Sequence, residues 1–436
     1  MIDPVTLAAL GLGGMFALIL MRVPIGVAMA IAGVAGFAAL SNLNAALSLL
    51  ATEPATLMAS TDLAVIPLFL LMGSFASASG LSADIYRFAF AFLGHRRGGL
   101  ALATVGGCAA FGAACGSSVA TAATMGRVAL PEMLRRGYAP GLATGSIAAG
   151  GTLGILIPPS NIMVIYAYLT EQFVITLFVA AVIPSIIAVV FDMIAIQAYV
   201  RLHPESAPAG PRMPWRERFV VMRQSWGIVL LLFTIIGGIY GGVFTVQEAA
   251  ACGAGFTLLF TLLRGRLTLP VLRAVVVETA SSTAMIYVIL VGASIFSYFI
   301  AATKMPDALV GLINGLDVHA LVIVFALIVM YLVLGAIFDE VAALLITLPF
   351  VFPLILHLGF HPVWWGIVCV MVIEVGLIAP PIGLNVFVIH GMARHIPLAT
   401  IYRGIMPILA ADLARIALVV LFPGIVMWLP TVTGMK

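Results

Sequence analysis

Long runs of apolar residues, separated by short polar breaks, cover almost the whole chain. An α-helix needs about 20 mostly apolar residues to cross the hydrocarbon core of a bilayer. We predict ten membrane spans, at Val5–Met21, Pro24–Leu40, Leu63–Ser79, Pro140–Ala167, Phe173–Val200, Trp226–Phe244, Ala249–Leu263, Thr283–Ala302, Pro362–His390 and Ile405–Leu429. The pattern therefore predicts an all-α polytopic membrane protein.

Two further apolar regions, Ala101–Leu134 and Leu321–Leu358, differ from the others because each carries a polar, glycine-containing break at its middle. Each region is long enough for two short helices that are joined at the break. The amphipathic stretches Leu81–Leu93 and Thr268–Ser281 precede these regions. We expect both stretches to lie along the cytoplasmic surface of the membrane.

The composition excludes a water-soluble enzyme. Of the 436 residues, 63% are hydrophobic and 8% are Asp, Glu, Lys or Arg, whereas an ordinary soluble domain carries roughly 25% charged residues. With a net charge of +3 and no basic tract, nucleic acid is not an expected partner. The four cysteines have no CxxC spacing, and we interpret them as small packing residues.

The arginines predict how the chain is oriented. Basic pairs flank the first broken region on both sides, at Arg96–Arg97 and Arg135–Arg136. Cytoplasmic loops are enriched in Lys and Arg, and these pairs share the cytoplasmic side only if region 101–134 enters and leaves by the same face. The region is therefore predicted to be a re-entrant hairpin. Both termini are then periplasmic, and Lys304 and Lys436 lie on the outer side.

An internal repeat relates the two broken regions. Gly116–Pro159 aligns without a gap with Phe338–Pro381, at a constant separation of 222 residues (353 − 131). Chance similarity between two Ala- and Leu-rich stretches is the alternative, but the Pro-Pro pairs fall in register. Five predicted crossings separate the hairpins, so the second hairpin enters from the opposite face. Such an inverted-topology repeat is typical of secondary transporters.

The repeat divides the chain into two halves. The first repeat, 1–203, contains a hairpin at about 101–134 and a broken helix at about 140–167. A proline-rich cytoplasmic linker, 204–224, follows. The second repeat, 225–436, contains a hairpin at about 321–358 and a broken helix at about 362–390.

Four glycine- and proline-rich breaks are candidate sites, at Gly112–Ser118, Gly150–Asn161, Gly335–Glu340 and Gly376–Asn385. Irregular backbone at membrane depth is tolerated only where protein or a polar cavity surrounds it. Helix N-termini attract anions, while free carbonyl, hydroxyl and amide oxygens suit a cation such as sodium. The breaks predict one cation site per half and an anionic substrate between the tips. The alternative is that they only kink packed helices.

Ionisable residues within membrane segments are functional candidates. Asp339 and Glu340 lie at the second hairpin tip, where they would bind cations but repel a dianion. Arg127 either reaches toward the cytoplasm or binds a carboxylate. Three acids within predicted spans, which either pair with arginine, cap helices or have a function, are Asp192, Glu374 and Asp412. Serine-hydrolase, Walker, zinc-protease and dinucleotide motifs are absent from the sequence, and we predict no enzyme activity.

These motifs resemble those of a known family. The runs Gly116–Gly126, Leu130–Tyr138, Leu156–Ser160 and Leu377–Asn385 resemble the large membrane subunit of TRAP (tripartite ATP-independent periplasmic) transporters. The resemblance covers nearly the whole chain. It implies an elevator-type, sodium-coupled importer of organic acids such as C4-dicarboxylates or sialic acids in the bacterial inner membrane. It also implies a separate small four-helix membrane subunit and a periplasmic binding protein as partners.

The resemblance also assigns candidate site residues. For sodium ions it implies Ser117, Ser118, Gly151, Thr152 and Pro158 in the first half, and Asp339, Gly376, Pro380 and Asn385 in the second. For substrate it implies Thr121 and Asn161, to which the charges within membrane segments add Glu340 and Arg127 as candidates. No organic cofactor and no metal other than sodium is expected.

Three other functions remain open on the sequence. A stand-alone carrier of anions with the same architecture would work without a binding protein. A membrane-embedded enzyme would use Asp339 and Glu340 as acid and base. A passive channel would not accumulate substrate against its gradient.

Overall fold

The computed structural model describes residues 3–315 and 318–434, and in these ranges every regular element is helical. The predicted outer position of Lys436 lies outside the described residues. The helices of the first half are α1 (Pro4–Leu20), α2 (Ile25–Leu40), α3 (Leu43–Ala59), α4 (Val65–Ser79), α5 (Leu81–Leu93), α6 (Gly99–Cys115), α7 (Ser118–Arg135), α8 (Pro140–Leu156), α9 (Asn161–Leu169) and α10 (Val174–Leu202).

The linker and the second half are also helical. Their helices are α11 (Trp215–Gln224), α12 (Trp226–Leu232), α13 (Gly238–Tyr240), α14 (Val246–Leu263), α15 (Leu269–Ala302), α16 (Met305–Asn314), α17 (Ala320–Ile337), α18 (Glu340–His357), α19 (Pro362–Gly376), α20 (Leu384–Met392), α21 (Leu398–Leu421) and α22 (Gly424–Val432). A π-helical segment, Phe233–Gly237, joins α12 to α13.

The helices have the length and composition of membrane spans. Within the described ranges, seven are long and apolar enough to cross a bilayer, or up to nine if each of two bent helix pairs counts as one span. One bent pair is α4 with α5, which meet at an angle of 68°. The predicted all-α polytopic membrane fold is confirmed.

The internal repeat includes complete helices, because the ends of equivalent helices are also 222 residues apart. Helices α7 and α18 begin at Ser118 and Glu340 and end at Arg135 and His357, which are equivalent positions in the repeat. Helices α8 and α19, which follow them, both begin at an equivalent proline. Each half thus contains a helical hairpin, α6–α7 or α17–α18, followed by a helix that ends at a Pro-Pro pair.

Helices α8 and α19 form the centre of the molecule. Every residue is buried from Leu142 to Leu156 in α8 and from Val363 to Gly376 in α19. A membrane helix that is apolar on all sides and covered on all sides is a core helix rather than a lipid-facing one. The two hairpins pack around this core, so the breaks at the ends of α8 and α19 lie within protein.

The hydropathy pattern misses α3 (Leu43–Ala59). Polar residues such as Asn44, Ser48 and Thr52 dilute the apolar signal in this segment. The helix persists because the hydroxyl groups of Ser48 and Thr52 donate to carbonyl oxygens one turn earlier, each at 2.9 Å. Hydropathy alone therefore did not reveal a helix whose polar groups are satisfied locally.

Two predicted boundaries are wrong. Thr268–Ser281 is not a separate surface helix, because α15 runs without interruption from Leu269 to Ala302 and contains no Gly or Pro from residue 271 to 291. The predicted last span, Ile405–Leu429, is two helices: α21 ends at Leu421 and α22 starts after Pro423, which has no N–H to continue a helix.

Helices α2 and α15 approach closely at Gly26 and Gly292. A Cβ on Gly292 would lie 2.0 Å from the Gly26 carbonyl oxygen, so the Gly292→Ala change forces the helices apart. We expect it to lower the stability of the protein by about 1 to 3 kcal/mol, the usual effect of overpacking. Thermal unfolding of the purified protein measures this. Gly255→Ala is the matched control, because a Cβ there meets nothing within 4 Å, and an equal effect of both changes would contradict the packing argument.

Candidate functional site

The first hairpin turns between α6 and α7. Helix α6 ends at Cys115, Gly116 adopts a left-handed conformation with φ of +64°, and α7 begins at Ser118. The Ser117 side chain caps α7 by accepting a hydrogen bond from the Ala120 N–H at 3.5 Å. The tip therefore offers a capped helix N-terminus next to the C-terminus of α6.

The first helix break lies directly against this tip. Pro158 has no N–H, so the carbonyl of Gly154 lacks the donor that a continuous helix would supply. A Cβ on Gly112 would lie 2.6 Å from the Cα of Gly154, and one on Gly116 would lie 3.1 Å from the carbonyl oxygen of Pro159. The hairpin backbone thus contacts the broken helix on both sides of the Pro-Pro pair.

The second half repeats this arrangement. Asp339, the repeat equivalent of Ser117, caps α18 by accepting the Ala342 N–H at 2.7 Å. A Cβ on Gly376 would lie 2.7 Å from Gly335, and the Gly383 N–H donates to the carbonyl of Ala336 at 3.1 Å. Each hairpin is therefore held against the broken helix of its own half.

Asn385 connects the two halves. Its side-chain amide donates to the hydroxyl of Ser118 at 2.7 Å and to the carbonyl of Ala148 at 3.1 Å. Asn385, a predicted cation ligand of the second half, therefore also contacts the first hairpin. The reason is that Gly383, with φ of +61°, turns the chain into α20, and α20 packs against α7 and α8. The amide oxygen of Asn385 is buried without a hydrogen-bond partner within the described part of the chain.

Both hairpin tips open into one cavity of about 710 Å³. Its polar and charged lining comes from the two tips, from α9 and from the facing helices α4 and α15. These residues are Ser74, Ser77, Ser117, Thr124, Arg127, Asn161, Glu278, Thr279, Ser282, Asp339 and Glu340. Three of the four predicted substrate residues, Asn161, Glu340 and Arg127, lie in this lining.

The fourth, Thr121, does not line the cavity. Its hydroxyl is fully buried, donates to the Ser117 carbonyl at 2.7 Å and faces Gly154. A β-hydroxyl in a helix commonly bonds the carbonyl one turn earlier, and this removes it from the cavity. Thr121 therefore holds the tip of α7 against the broken helix.

The remaining predicted cation residues have different surroundings. Gly151 is a packing position, since a Cβ there would lie 2.6 Å from the Cβ of Ala122. The hydroxyl of Thr152 donates to a carboxylate oxygen of Glu374 at 3.0 Å. Pro158 is buried, whereas Pro380 is exposed. The structure thus brings Ser117, Ser118 and Pro158 to one break and leaves Thr152 turned toward the other half.

Thr152 belongs to a buried charge network that the sequence did not reveal as a unit. Arg415 donates to Glu374 at 3.0 Å and to Asp412 at 2.7 Å, and all three side chains are at most 1% exposed. Asp192 of α10 faces the same group and is equally buried. Thr152 and Glu374 are repeat equivalents, 222 residues apart, so the network joins the two halves at the centre of the fold. Glu374 and Asp412 therefore pair with Arg415, whereas Asp192 lies beside them without a salt bridge in the described part of the chain.

Paired helical hairpins and broken helices around a polar cavity in a membrane fold are typical of secondary transporters. The comparisons with known proteins agree. The chain belongs to the family described as tripartite ATP-independent periplasmic transporter, DctM component, whose model matches residues 12–425. It is therefore the large permease of a TRAP transporter and not an enzyme.

Named relatives and a solved structure support the assignment of the chain to this family. The C4-dicarboxylate TRAP transporter large permease protein DctM of Pseudomonas aeruginosa is 36% identical over 376 residues, which cover 86% of this chain and 87% of the relative. The sialic acid TRAP transporter large permease protein SiaM of Vibrio cholerae is 29% identical, covering 84% and 86%. The crystal structure of the Alcanivorax borkumensis YdaH transporter has a similar fold, with a TM-score of 0.64 and 15% identity over 88% of this chain and 89% of that one.

Proposed function

We propose that this permease imports a carboxylate together with sodium ions. The ions bind at two junctions, one in each half, where a hairpin tip contacts a broken helix. The observation that carries the proposal is the duplicated junction: in each half, a hairpin tip contacts a broken helix at the edge of the same cavity. Unwound carbonyls and polar side chains at membrane depth are the usual ligands of coupling cations. Two junctions therefore favour at least two cation sites next to one substrate.

In the first junction, oxygen atoms are available for a cation. The side chain of Asn161 lies beside Gly116, and its amide oxygen is buried without a partner in the described chain. The hydroxyl of Ser117 borders the same cavity as Asn161, and in the adjoining break the carbonyl of Gly154 lacks its helical donor. Hard cations such as sodium prefer oxygen ligands of this kind, and we assign Asn161 to the cation as well as to the cavity.

In the second junction, Asp339 supplies the charge. One of its oxygens caps α18, and the other remains for a cation. Asn385, at the end of the second break, has a buried amide oxygen without a partner within the described residues, and its amide nitrogen donates to Ser118. Because Asn385 is hydrogen-bonded to the first hairpin, an ion that moves the Asn385 side chain would affect both junctions.

The cavity binds the carboxylate of the substrate at Arg127. Its guanidinium donates to Thr124 at 3.4 Å and has no carboxylate partner within the described residues. Several of the relatives are named for C4-dicarboxylate or for sialic acid, two substrates that share a carboxylate. We propose a carboxylate of this broad class as the substrate, bound between the hairpins and helices α4 and α15.

We further propose that the chain acts in the bacterial inner membrane, with both termini periplasmic, a small four-helix membrane subunit and a periplasmic binding protein that delivers the substrate. The hairpins and the core helices α8 and α19 would move together against α4 and α15, as in an elevator. The support is that each hairpin packs on its own broken helix and that one cavity lies between the hairpin tips and α4 and α15, which touch the hairpins beside the cavity.

Uptake into proteoliposomes tests the coupling. The ligand is first identified by mass spectrometry of the purified binding protein, and its uptake is then measured with all three components present. We expect accumulation only with an inward sodium gradient, because the cation sites must fill before the tips close. Accumulation that follows a proton gradient without sodium would contradict the proposal, and transport by the chain alone would favour a stand-alone carrier.

A further inference from the structure

The cavity lining contains more carboxyl groups than basic groups, although the proposed substrate is itself a carboxylate. Among the described lining residues, one guanidinium, Arg127, faces three carboxyl groups, Glu278, Asp339 and Glu340. Arg127 and Glu278 are exposed to the cavity, and neither has an ion-pair partner in the described chain. Unpaired charges of both signs in one cavity are available to a ligand.

The charges are separated along the cavity. Glu278 of α15 and Glu340 of the second hairpin tip line the same cavity as Cys115, the last residue of α6. Arg127 lies nine residues after Ser118, about 13 Å along α7 at 1.5 Å per residue, and its guanidinium reaches back toward Thr124. The cavity therefore has an acidic end at the tips and a basic position further along α7.

Only part of the negative charge is explained by coupling cations. A sodium ion at the second junction would neutralise Asp339, but Glu278 belongs to α15, on the opposite wall of the cavity. A dicarboxylate bound at Arg127 would direct its second negative charge toward Glu278 and Glu340 without a compensating group. A substrate with a cationic nitrogen at that end would instead pair with both acids.

We propose that the substrate is a zwitterion, with a carboxylate bound by Arg127 and a cationic nitrogen bound between Glu278 and Glu340. The inference rests on the proposed function and narrows its substrate class from carboxylates in general to carboxylates with a positively charged nitrogen. The binding energy then comes from charge-assisted hydrogen bonds at both ends of the molecule. Unpartnered hydroxyl and amide oxygens in the wall, on Thr279 and Asn161, complete the polar lining.

Three compounds with the same four-carbon chain test the proposal directly: 4-aminobutyrate, butyrate and succinate. They differ only at the fourth carbon, which carries an ammonium group, is a methyl group or belongs to a second carboxylate. The purified permease with its small membrane subunit is titrated with each compound at fixed sodium concentration. Binding is read from the rise in the unfolding temperature, because a ligand that binds only the folded state stabilises it.

We expect 4-aminobutyrate to bind about tenfold more tightly than succinate, with butyrate in between. Glu278→Gln and Glu340→Gln should each remove most of this preference, because they remove a partner of the ammonium group. Glu217→Gln, at an exposed position of α11 outside the cavity, is the matched control and should keep it. Tighter binding of succinate, no preference for the ammonium compound, or a preference that survives both cavity changes would overturn the inference.

The outcome can be separated from that of the proposed function. Sodium-driven uptake of the binding protein's own ligand is measured on the same preparation. If that uptake depends on sodium but succinate binds best, the zwitterion inference fails and the transport proposal stands. If uptake does not respond to sodium, the transport proposal fails regardless of the order of the three compounds.

Discussion

Replacing Arg415 by methionine is expected to lower the free energy of unfolding by about 3 to 5 kcal/mol, the usual result of removing one partner from a buried ion pair. Arg415 is fully buried and bonds to both Glu374 and Asp412. With the guanidinium removed, these carboxylates and Asp192 would face one another in a membrane core without a countercharge. Thermal unfolding of the purified protein in lipid or detergent measures the loss.

Arg403→Met provides the comparison on the same helix. Arg403 is exposed, so its replacement should change stability by less than about 0.5 kcal/mol. Arg415→Lys should fall between the two, because an ammonium keeps the charge but not the two-sided geometry of a guanidinium. If Arg415→Met and Arg403→Met were equally stable, the charge network would not hold the two halves together.

Replacing Asn385 by alanine is expected to raise the sodium concentration for half-maximal uptake about tenfold. The change removes two hydrogen bonds, one to the buried hydroxyl of Ser118 and one to the Ala148 carbonyl. Such a loss is worth about 1 to 3 kcal/mol, and 1.4 kcal/mol corresponds to a factor of ten. Sodium titration of uptake in proteoliposomes measures the shift.

Ser118→Ala should weaken sodium dependence in the same direction, because it removes the other side of the contact. Asn44→Ala, at an exposed position of α3, is the control and should leave the sodium dependence unchanged. Membrane insertion of all three variants should be normal. Unchanged sodium dependence in both Asn385→Ala and Ser118→Ala would count against these residues as parts of a cation site.

Much of the helical architecture is readable from the sequence, because glycines and prolines mark the ends of helices directly. The breaks at Gly116 and at the two Pro-Pro pairs fall where the repeat alignment places them. Helix α3 was missed because hydropathy averages do not register hydroxyl groups that bond within their own helix. The repeat itself offered the missing signal, since residues 222 positions later begin a long helix, α15.

Contacts between the halves were harder to predict, because a repeat describes each half separately. Asn385 was assigned to its own half, but its side chain crosses to Ser118. The partnership of Arg415 with Glu374 also joins distant segments. In the sequence, the only indication of this charge network was the spacing of Asp412 and Arg415, which lie three residues apart on one helix face. Side-chain pairing across a core depends on how helices rotate, which spacing does not determine.

The account depends on two hairpins that enter the membrane from opposite faces, and labelling of equivalent positions tests this most directly. Arg135 and His357 are exposed repeat equivalents at the ends of α7 and α18. Each is changed to cysteine in a Cys252→Ser background, since the other three native cysteines are buried. In intact cells, a membrane-impermeant maleimide should label His357→Cys, and label Arg135→Cys only after permeabilisation. Labelling of both from the same side would contradict the inverted repeat.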